Sequence, residues 1–389
     1  MIEGVVIGAL AFVAYAYIFF PLLIFIRGWL FPRKWKQEDI TPMVNIVIIC
    51  HNEVADIERK LQNVLGLDYP KESLRIVVGS DGSDDGTDEI VGRYVDQGVT
   101  LYSFPRRGKI PALNDTVATT DGDILVFSDA NSEFAPDALR KLVRHFADPK
   151  IGCVAGNQVY TSNPQSGSAA AGERSYWRYD RGLKLAESRA GNTISATGAI
   201  YAIRRELFQE VPSGVTDDFT ISTRTILQGA RIVFDPEAIA REPVAGKPRA
   251  EFKRKTRVMT RGLRAVWIVR GLLNPFRHGF YSLQLFSHKV LRRLVAFPLL
   301  LLLLMTPWLW MAGGWLQWLA VAQVGFYALA LIGFLLSSTR LGRLRPFAIP
   351  YFFCLVNTAA IVAAINCCLG RKIERWESHR AEPTAVSSS

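Results

Sequence analysis

The chain is poor in the residues that hold a protein together covalently or through metal. Among 389 residues there are five cysteines, an odd count with no CxxC pair, which excludes a disulfide framework and a zinc ribbon. Cys50 and Cys153 sit in strand-like apolar runs and read as small buried hydrophobes; Cys354, Cys367 and Cys368 fall in a longer apolar run. No internal repeat is present, and low complexity is confined to Ser387, Ser388 and Ser389. Charged residues make up 21% and hydrophobic ones 49%, which is too apolar for a disordered chain. The net charge of +11 is local: residues 249–293 hold twelve Lys or Arg and one acid, Glu251, and that excess equals the whole chain's. No recognition module accompanies the charge, so nucleic acid is not an expected partner.

Four runs lack charge and histidine altogether: 4–26, 294–312, 315–336 and 346–369. At about 1.5 Å per residue, each is long enough for a hydrocarbon core of about 30 Å. The first lacks a basic leader and is followed by Arg27, Trp29, Leu30 and Phe31, so it reads as a span and not as a cleaved signal peptide. Arg27, Arg33, Lys34 and Lys36 keep the segment that follows on the cytoplasmic side, and Lys289, Arg292, Arg293, Arg340, Arg343 and Arg345 agree. Four crossings then put the C-terminus outside, yet Arg371, Lys372, Arg375 and Arg380 in the tail argue for inside. Either the fourth run is re-entrant or the charge rule fails here. The expectation is a multi-pass protein of the inner or plasma membrane: a span in 1–30, a cytoplasmic domain at 37–250, a basic interfacial segment at 251–293, three spans in 294–370 and a tail at 371–389.

Within the polar insert, 44–50, 74–79, 100–104 and 124–128 are short runs rich in β-branched residues, each followed by a segment of helical length. That alternation predicts a parallel sheet of βαβ units. In 55–67, Ile57, Leu61, Val64 and Leu65 form one helical stripe that packs on the sheet. Ligands of such sheets lie beyond the C-terminal strand ends, where this chain is polar: His51-Asn52-Glu53, Ser80-Asp81 through Thr87, and Asp129-Ala130-Asn131.

Asp81, Ser83, Asp85 and Gly86 fit the start of a calcium loop, but Gly92 stands where its bidentate Glu is required. Asp84 and Asp85 also suit a plain strand-to-helix turn. Asp129 and Asn131 place two oxygen-bearing side chains on one face; Mg²⁺ or Mn²⁺ so held completes its shell with phosphate, which points to a nucleoside diphosphate. Arg106-Arg107-Gly108-Lys109 before a helix start suits a phosphate or a solvated turn. Thr216-Asp217-Asp218 reads either as a helix N-terminus or as a general base whose neighbour raises its pKa. Cations interleaved with Phe252, Val258, Met259, Leu263, Val266 and Trp267 predict a basic amphipathic helix on anionic membrane lipids.

In their order and spacing these features resemble the membrane-embedded family 2 glycosyltransferases, the group of cellulose, hyaluronan and poly-N-acetylglucosamine synthases. The resemblance implies an α/β fold: a GT-A nucleotide-sugar domain with a Rossmann-like mixed sheet, inserted between one N-terminal and about three C-terminal transmembrane helices. It implies an inverting hexosyl- or N-acetylhexosaminyltransferase that moves sugar from a UDP-sugar to a growing glycan, or singly to a lipid-linked acceptor. A non-catalytic nucleotide-binding component is the third reading. Carried over by position, Asn52, Glu53 and Asp81 would meet the nucleoside and Lys109 the phosphates. Asp129 and Asn131 would hold a divalent metal, Mg²⁺ or Mn²⁺, with Asn replacing the family's second Asp. Asp218, beside Asp217, would be the base, and 197–205 would form the acceptor floor and its basic pair. Against the family's Gln-x-x-Arg-Trp the chain offers Arg254-Lys255-Thr256-Arg257-Val258. Arg257 can neutralise the leaving diphosphate, but the acceptor-stacking Trp is missing, leaving that task to Trp177 or Tyr179 or to a different acceptor. Four spans are few for a channel, so export would call for a partner protein or a homo-oligomer.

Overall fold

The computed structural model describes residues 2–161, 168–243, 248–337 and 339–371, with side chains undescribed at 168–178, 243 and 248–250. A long apolar helix, α1 (Ile2–Leu30), leads into the domain. β1 (Val44–Cys50), α2 (Ile57–Leu65), β2 (Leu74–Asp81), β3 (Val99–Phe104), α3 (Lys109–Ala118) and β4 (Ile124–Ser128) follow. After these come β5 (Glu133–Phe134), β6 (Ile151–Thr161), α4 (Ser168–Ala190), β7 (Tyr201–Arg204), α5 (Asp217–Leu227) and β8 (Arg231–Pro243). One eight-stranded sheet runs in the order β3-β2-β1-β4-β7-β6-β8-β5. The first four strands are parallel, as the βαβ pattern predicts. β7 is antiparallel to both β4 and β6, which makes the sheet mixed.

Alternation along β1 divides the core. Ile46 and Ile48 pack with Ile57, Leu61 and Val64 of α2 on one face, while Val47 and Ile49 meet Ile110 and Leu113 of α3 on the other. With both faces covered, all seven residues of β1 are buried, and its first polar residues beyond the strand end emerge at the rim.

The membrane side begins with α1 against α4, where Phe20 and Ile24 pack on Leu183 and Ala186. A Cβ on Gly28 would lie 2.6 Å from the Ala186 carbonyl oxygen, so this contact admits only glycine. The basic segment is not one interfacial helix. Its first part, α6 (Pro248–Ile268), packs on the domain; after a short break the chain enters α7 (Phe280–Leu304) and α8 (Thr306–Ala312), which meet at 52°. Pro307 lies in the first turn of α8 and cannot continue the ladder of α7, so the second apolar run is a broken helix beginning at Phe280. α9 (Gly314–Leu335) and α10 (Arg345–Cys368) complete the described chain.

Only the first, third and fourth runs are single helices long and apolar enough to cross a membrane. The fourth differs from the others in its surroundings: half of α10's apolar window is buried in the protein, against 17% for α9. It packs along α6, with Phe252 against Tyr351 and Leu355, Lys255 Nζ 5.5 Å from the Phe352 ring, and Cys367 Sγ 3.5 Å from the Thr260 carbonyl oxygen.

Candidate active site

The polar strand ends converge because the loops after β1 and β2 are stitched together. Asn52 takes a left-handed backbone, φ 55°, which Asn tolerates better than most residues. Its backbone N–H donates to Ser83 Oγ (3.1 Å) and its Oδ1 accepts from Asp84 N (2.9 Å), while Glu53 N donates to Thr87 Oγ1 (2.9 Å). Asp85 accepts from Val54 N and Thr87 N; the turn reading of this loop and its place at the site are both satisfied.

Asp81 does something other than face a ligand. It is fully buried, and its carboxylate accepts from the Arg106 side chain, Arg107 N (2.8 Å) and Gly108 N (2.9 Å). It thereby holds the turn that presents Lys109. Lys109 Nζ in turn lies 3.0 Å from Asp129 Oδ1 and 3.1 Å from Asp217 Oδ2. Burial alone would lower the Lys109 pKa; Asp129 and Asp217 outweigh it and hold the ammonium charged.

Asp217 and Asp218 open α5, where the helix N-terminus favours carboxylates. Lys109 and Arg261 outweigh the burial of Asp217 and lower its pKa. Asp218 makes no ion pair among the described residues, and the more distant charges of Lys109 and Lys289 act on it more weakly than burial does. Burial, then the charge of Asp217, push its carboxyl up to about 6. One member of the pair is thus fixed as an anion, and the other is placed to exchange a proton near neutral pH. Arg261 also binds the loop ahead of them, donating from Nε to the Val215 carbonyl at 3.0 Å.

A cavity of about 1140 Å³ connects these groups. Asn52, Glu53, Lys109, Asp129, Asn131, Asp217, Asp218 and Arg257 line it, whereas Asp81 is not among its lining residues. Tyr17 of α1 and Ile349, Phe352, Phe353, Val356, Asn357 and Ala360 of α10 line it as well. The hydroxyls of Thr197 and Thr216, both on its wall, are buried and have no partner among the described residues. Of the two aromatic residues that could replace the missing Trp, the side chain of Trp177 lies outside the described residues. Tyr179 sits 5.8 Å from the Arg292 guanidinium.

Three lining residues escape a reading by motif. Glu242, at the end of β8, accepts from Asn131 Nδ2 (3.3 Å) and from Gln158; burial, then the charge of Asp129, raise its pKa to about 7. Arg261 and Lys289 are the others, each one cation in a basic run with nothing local to distinguish it. Among the described residues no three His, Cys, Asp or Glu side chains form a closed metal cage. The oxygens of Asp129 and Asn131, with Glu242 behind them, suit an open site whose remaining ligands come from phosphate. A Cβ on Gly198 would come within 3.2 Å of Asp129 Oδ2, so the glycine keeps that approach clear.

Residues 45–212 match the family described as Glycosyl transferase family 2. The chain carries a family 2 glycosyltransferase domain. Asp217 and Asp218 lie just beyond the matched residues, so their place at the site rests on the geometry above. A poly-β-1,6-N-acetyl-D-glucosamine synthase of Staphylococcus aureus is 27% identical over 204 residues, covering 50% of this chain and 48% of that protein. The glycosyltransferase AglE of Haloferax volcanii is 25% identical over 238 residues, 59% of this chain and 75% of its own. The chain thus spans about half the length of the synthase. A solved mannosyltransferase, PcManGT of Pyrobaculum calidifontis in complex with GDP-Man and Mn²⁺, superposes with a TM-score of 0.68 over 95% of this chain and 100% of that one at 23% identity. The family 2 domain and the apolar helices around it therefore share one GT-A architecture with that protein.

Proposed function

We propose that this protein is an inverting hexosyltransferase that moves a sugar from a nucleoside diphosphate sugar to a lipid-linked acceptor at the membrane. The observation that carries this reading is that Asp218 lines one cavity together with Lys109 and Asp129 and with apolar residues of α10. The donor's diphosphate lies at Lys109 and Arg257, its nucleoside at Asn52 and Glu53. A divalent cation on Asp129 and Asn131, when bound, offsets the charge that develops on the leaving diphosphate. Asp218 takes the proton of the acceptor hydroxyl as that oxygen attacks the anomeric carbon from the face opposite the nucleotide, and configuration inverts. The hydroxyls of Thr197 and Thr216, buried and without a partner among the described residues, are the candidates to bond the transferred sugar.

A lipid-linked acceptor is favoured over a chain extended processively because Val258 stands where a stacking ring is needed. The cavity, moreover, follows α10 from Ile349 to Ala360, about 16 Å of apolar helix. Membranes carrying the protein, supplied with Mn²⁺ and a panel of UDP- and GDP-sugars, are expected to release nucleotide with one donor and to yield a product of one added sugar. A long polymer would overturn the acceptor reading and restore synthesis of a growing glycan. Binding of nucleotide without release from any donor would overturn catalysis.

A further inference from the structure

Three polar residues of α7, ahead of its apolar run, converge on one loop. Tyr281, Gln284 and His288 recur at spacings of 3 and 4, one face of the helix, and all three are buried. Tyr281 donates its hydroxyl to the Ile194 carbonyl (2.8 Å), and Gln284 donates from Nε2 to the Asn192 carbonyl (2.9 Å). Arg292 donates to Nε2 of His288 at 3.2 Å, which leaves the ring proton on Nδ1, and that nitrogen donates to Glu187 Oε1 of α4 at 2.9 Å. The other oxygen of Glu187 accepts from Ile194 N (2.9 Å). The Ile194 backbone is thus held at both its polar groups, the N–H by Glu187 and the carbonyl by Tyr281. Apolar residues would pack such a helix face without desolvating any polar group, so a buried polar face satisfied by a single loop is a specific constraint on that loop.

That loop leads straight into the site. Residues 194–199 line the cavity that also holds Asp129 and Asp218. Ala196 N donates to Ser222 Oγ (3.1 Å), and the Ser222 hydroxyl donates to the backbone carbonyl of Asp218 (2.7 Å). Two residues further on, a Cβ at Gly198 would come within 3.2 Å of Asp129 Oδ2, so the loop has little room to move toward that carboxylate. We propose that Tyr281, Gln284 and His288 are positioning residues for the transfer: through 192–199 they set where the acceptor saccharide rests against the donor and Asp218. Reacting atoms must meet at about 3–3.5 Å, and a displacement of about 1 Å costs on the order of 100-fold in rate. Because α7 runs on into the apolar segment, this wall of the site is braced from outside the sheet that carries the donor side. The inference rests on the reading of Asp218 as the base.

The test compares the full chain in detergent with three variants: Tyr281→Phe combined with Gln284→Leu, His288→Leu, and His288→Asn, which keeps an N–H near the place of Nδ1. Hydrogen exchange across 192–199 is expected to be about tenfold faster in the double variant and in His288→Leu, with 50–56 and 81–87 on the donor side unchanged. Nucleotide release from the panel of UDP- and GDP-sugars is followed with Mn²⁺ and, as acceptor, lipids extracted from the membranes in which the protein is made. It is expected to fall about tenfold or more in those two variants and to return to within about threefold of the wild type in His288→Asn. Affinity for Mn²⁺ with UDP or GDP is expected to stay within about twofold throughout. Exchange at the wild-type rate overturns the clamp, and faster exchange with turnover near the wild type overturns its positioning role. Nucleotide affinity that falls in step with turnover reads as damage to the whole fold and overturns the proposal too. If Asp218→Asn keeps its turnover while the double variant loses it, the base reading falls and the positioning role stands.

Discussion

The two walls of the cavity are built differently. On the donor wall the polar side chains are fixed by their neighbours: Asn52 by Ser83 and Asp84, and Lys109, presented by the 106–108 turn that the buried Asp81 holds, by Asp129 and Asp217. On the membrane wall the side chains come from helices far apart in the sequence, and cations stand among apolar residues. A preassembled wall suits a donor held in one geometry, whereas a cationic, apolar wall suits an amphiphile that enters from lipid. Asp218 stands where they meet.

Substitutions on the donor wall should act on nucleotide and metal, those on the other wall on the acceptor. The largest effect outside the base is expected from Asp129→Ala: Mn²⁺-dependent nucleotide affinity, followed by calorimetry, falls on the order of 100-fold. Next comes the pH profile. Asp218 must be ionised to accept a proton and its pKa is raised to about 6, so turnover should rise with pH through about 6 and level off above it. Asp217→Asn removes the second cause of that rise and moves the acid limb to lower pH, while burial, the larger cause, keeps it above the ordinary carboxyl range. An unmoved limb would mean that another group titrates.

Lys60 sharpens the comparison from behind the donor wall. Fully buried on α2, it donates to Ser128 Oγ (2.6 Å) and the Ser132 carbonyl (2.7 Å), bracketing Asp129-Ala130-Asn131. Lys60→Met takes the donor from the Ser132 carbonyl, while Ser128 Oγ keeps Ser132 Oγ and the Ala199 carbonyl as partners; it should cost about 1–3 kcal/mol in denaturant unfolding, with weaker metal affinity. Val258→Trp is the mildest change. It restores a stacking surface on a half-exposed position and should lower the acceptor KM severalfold at most, with donor KM unchanged.

The donor wall was legible in the sequence because a parallel strand announces itself by β-branched runs and its functional residues follow immediately. Asp129 and Asp218 could be picked out that way. Asp81 was legible as important but not in what it contacts, since the 106–108 turn that takes up its carboxylate returns from the far end of β3. Glu242 ends a strand with no motif around it and reaches the site through the pairing of β8 with β6, and Lys289 is one basic residue among many, brought there from α7. Packing separates α10 from α9, two runs of similar hydropathy whose neighbours differ.

The most direct test is to measure donor affinity and turnover in the same preparation for the wild type and Asp218→Asn. The account predicts an unchanged nucleotide-sugar Kd and a turnover lowered about 10²- to 10⁴-fold, the range for loss of a general base. Turnover within a few-fold of the wild type would contradict it.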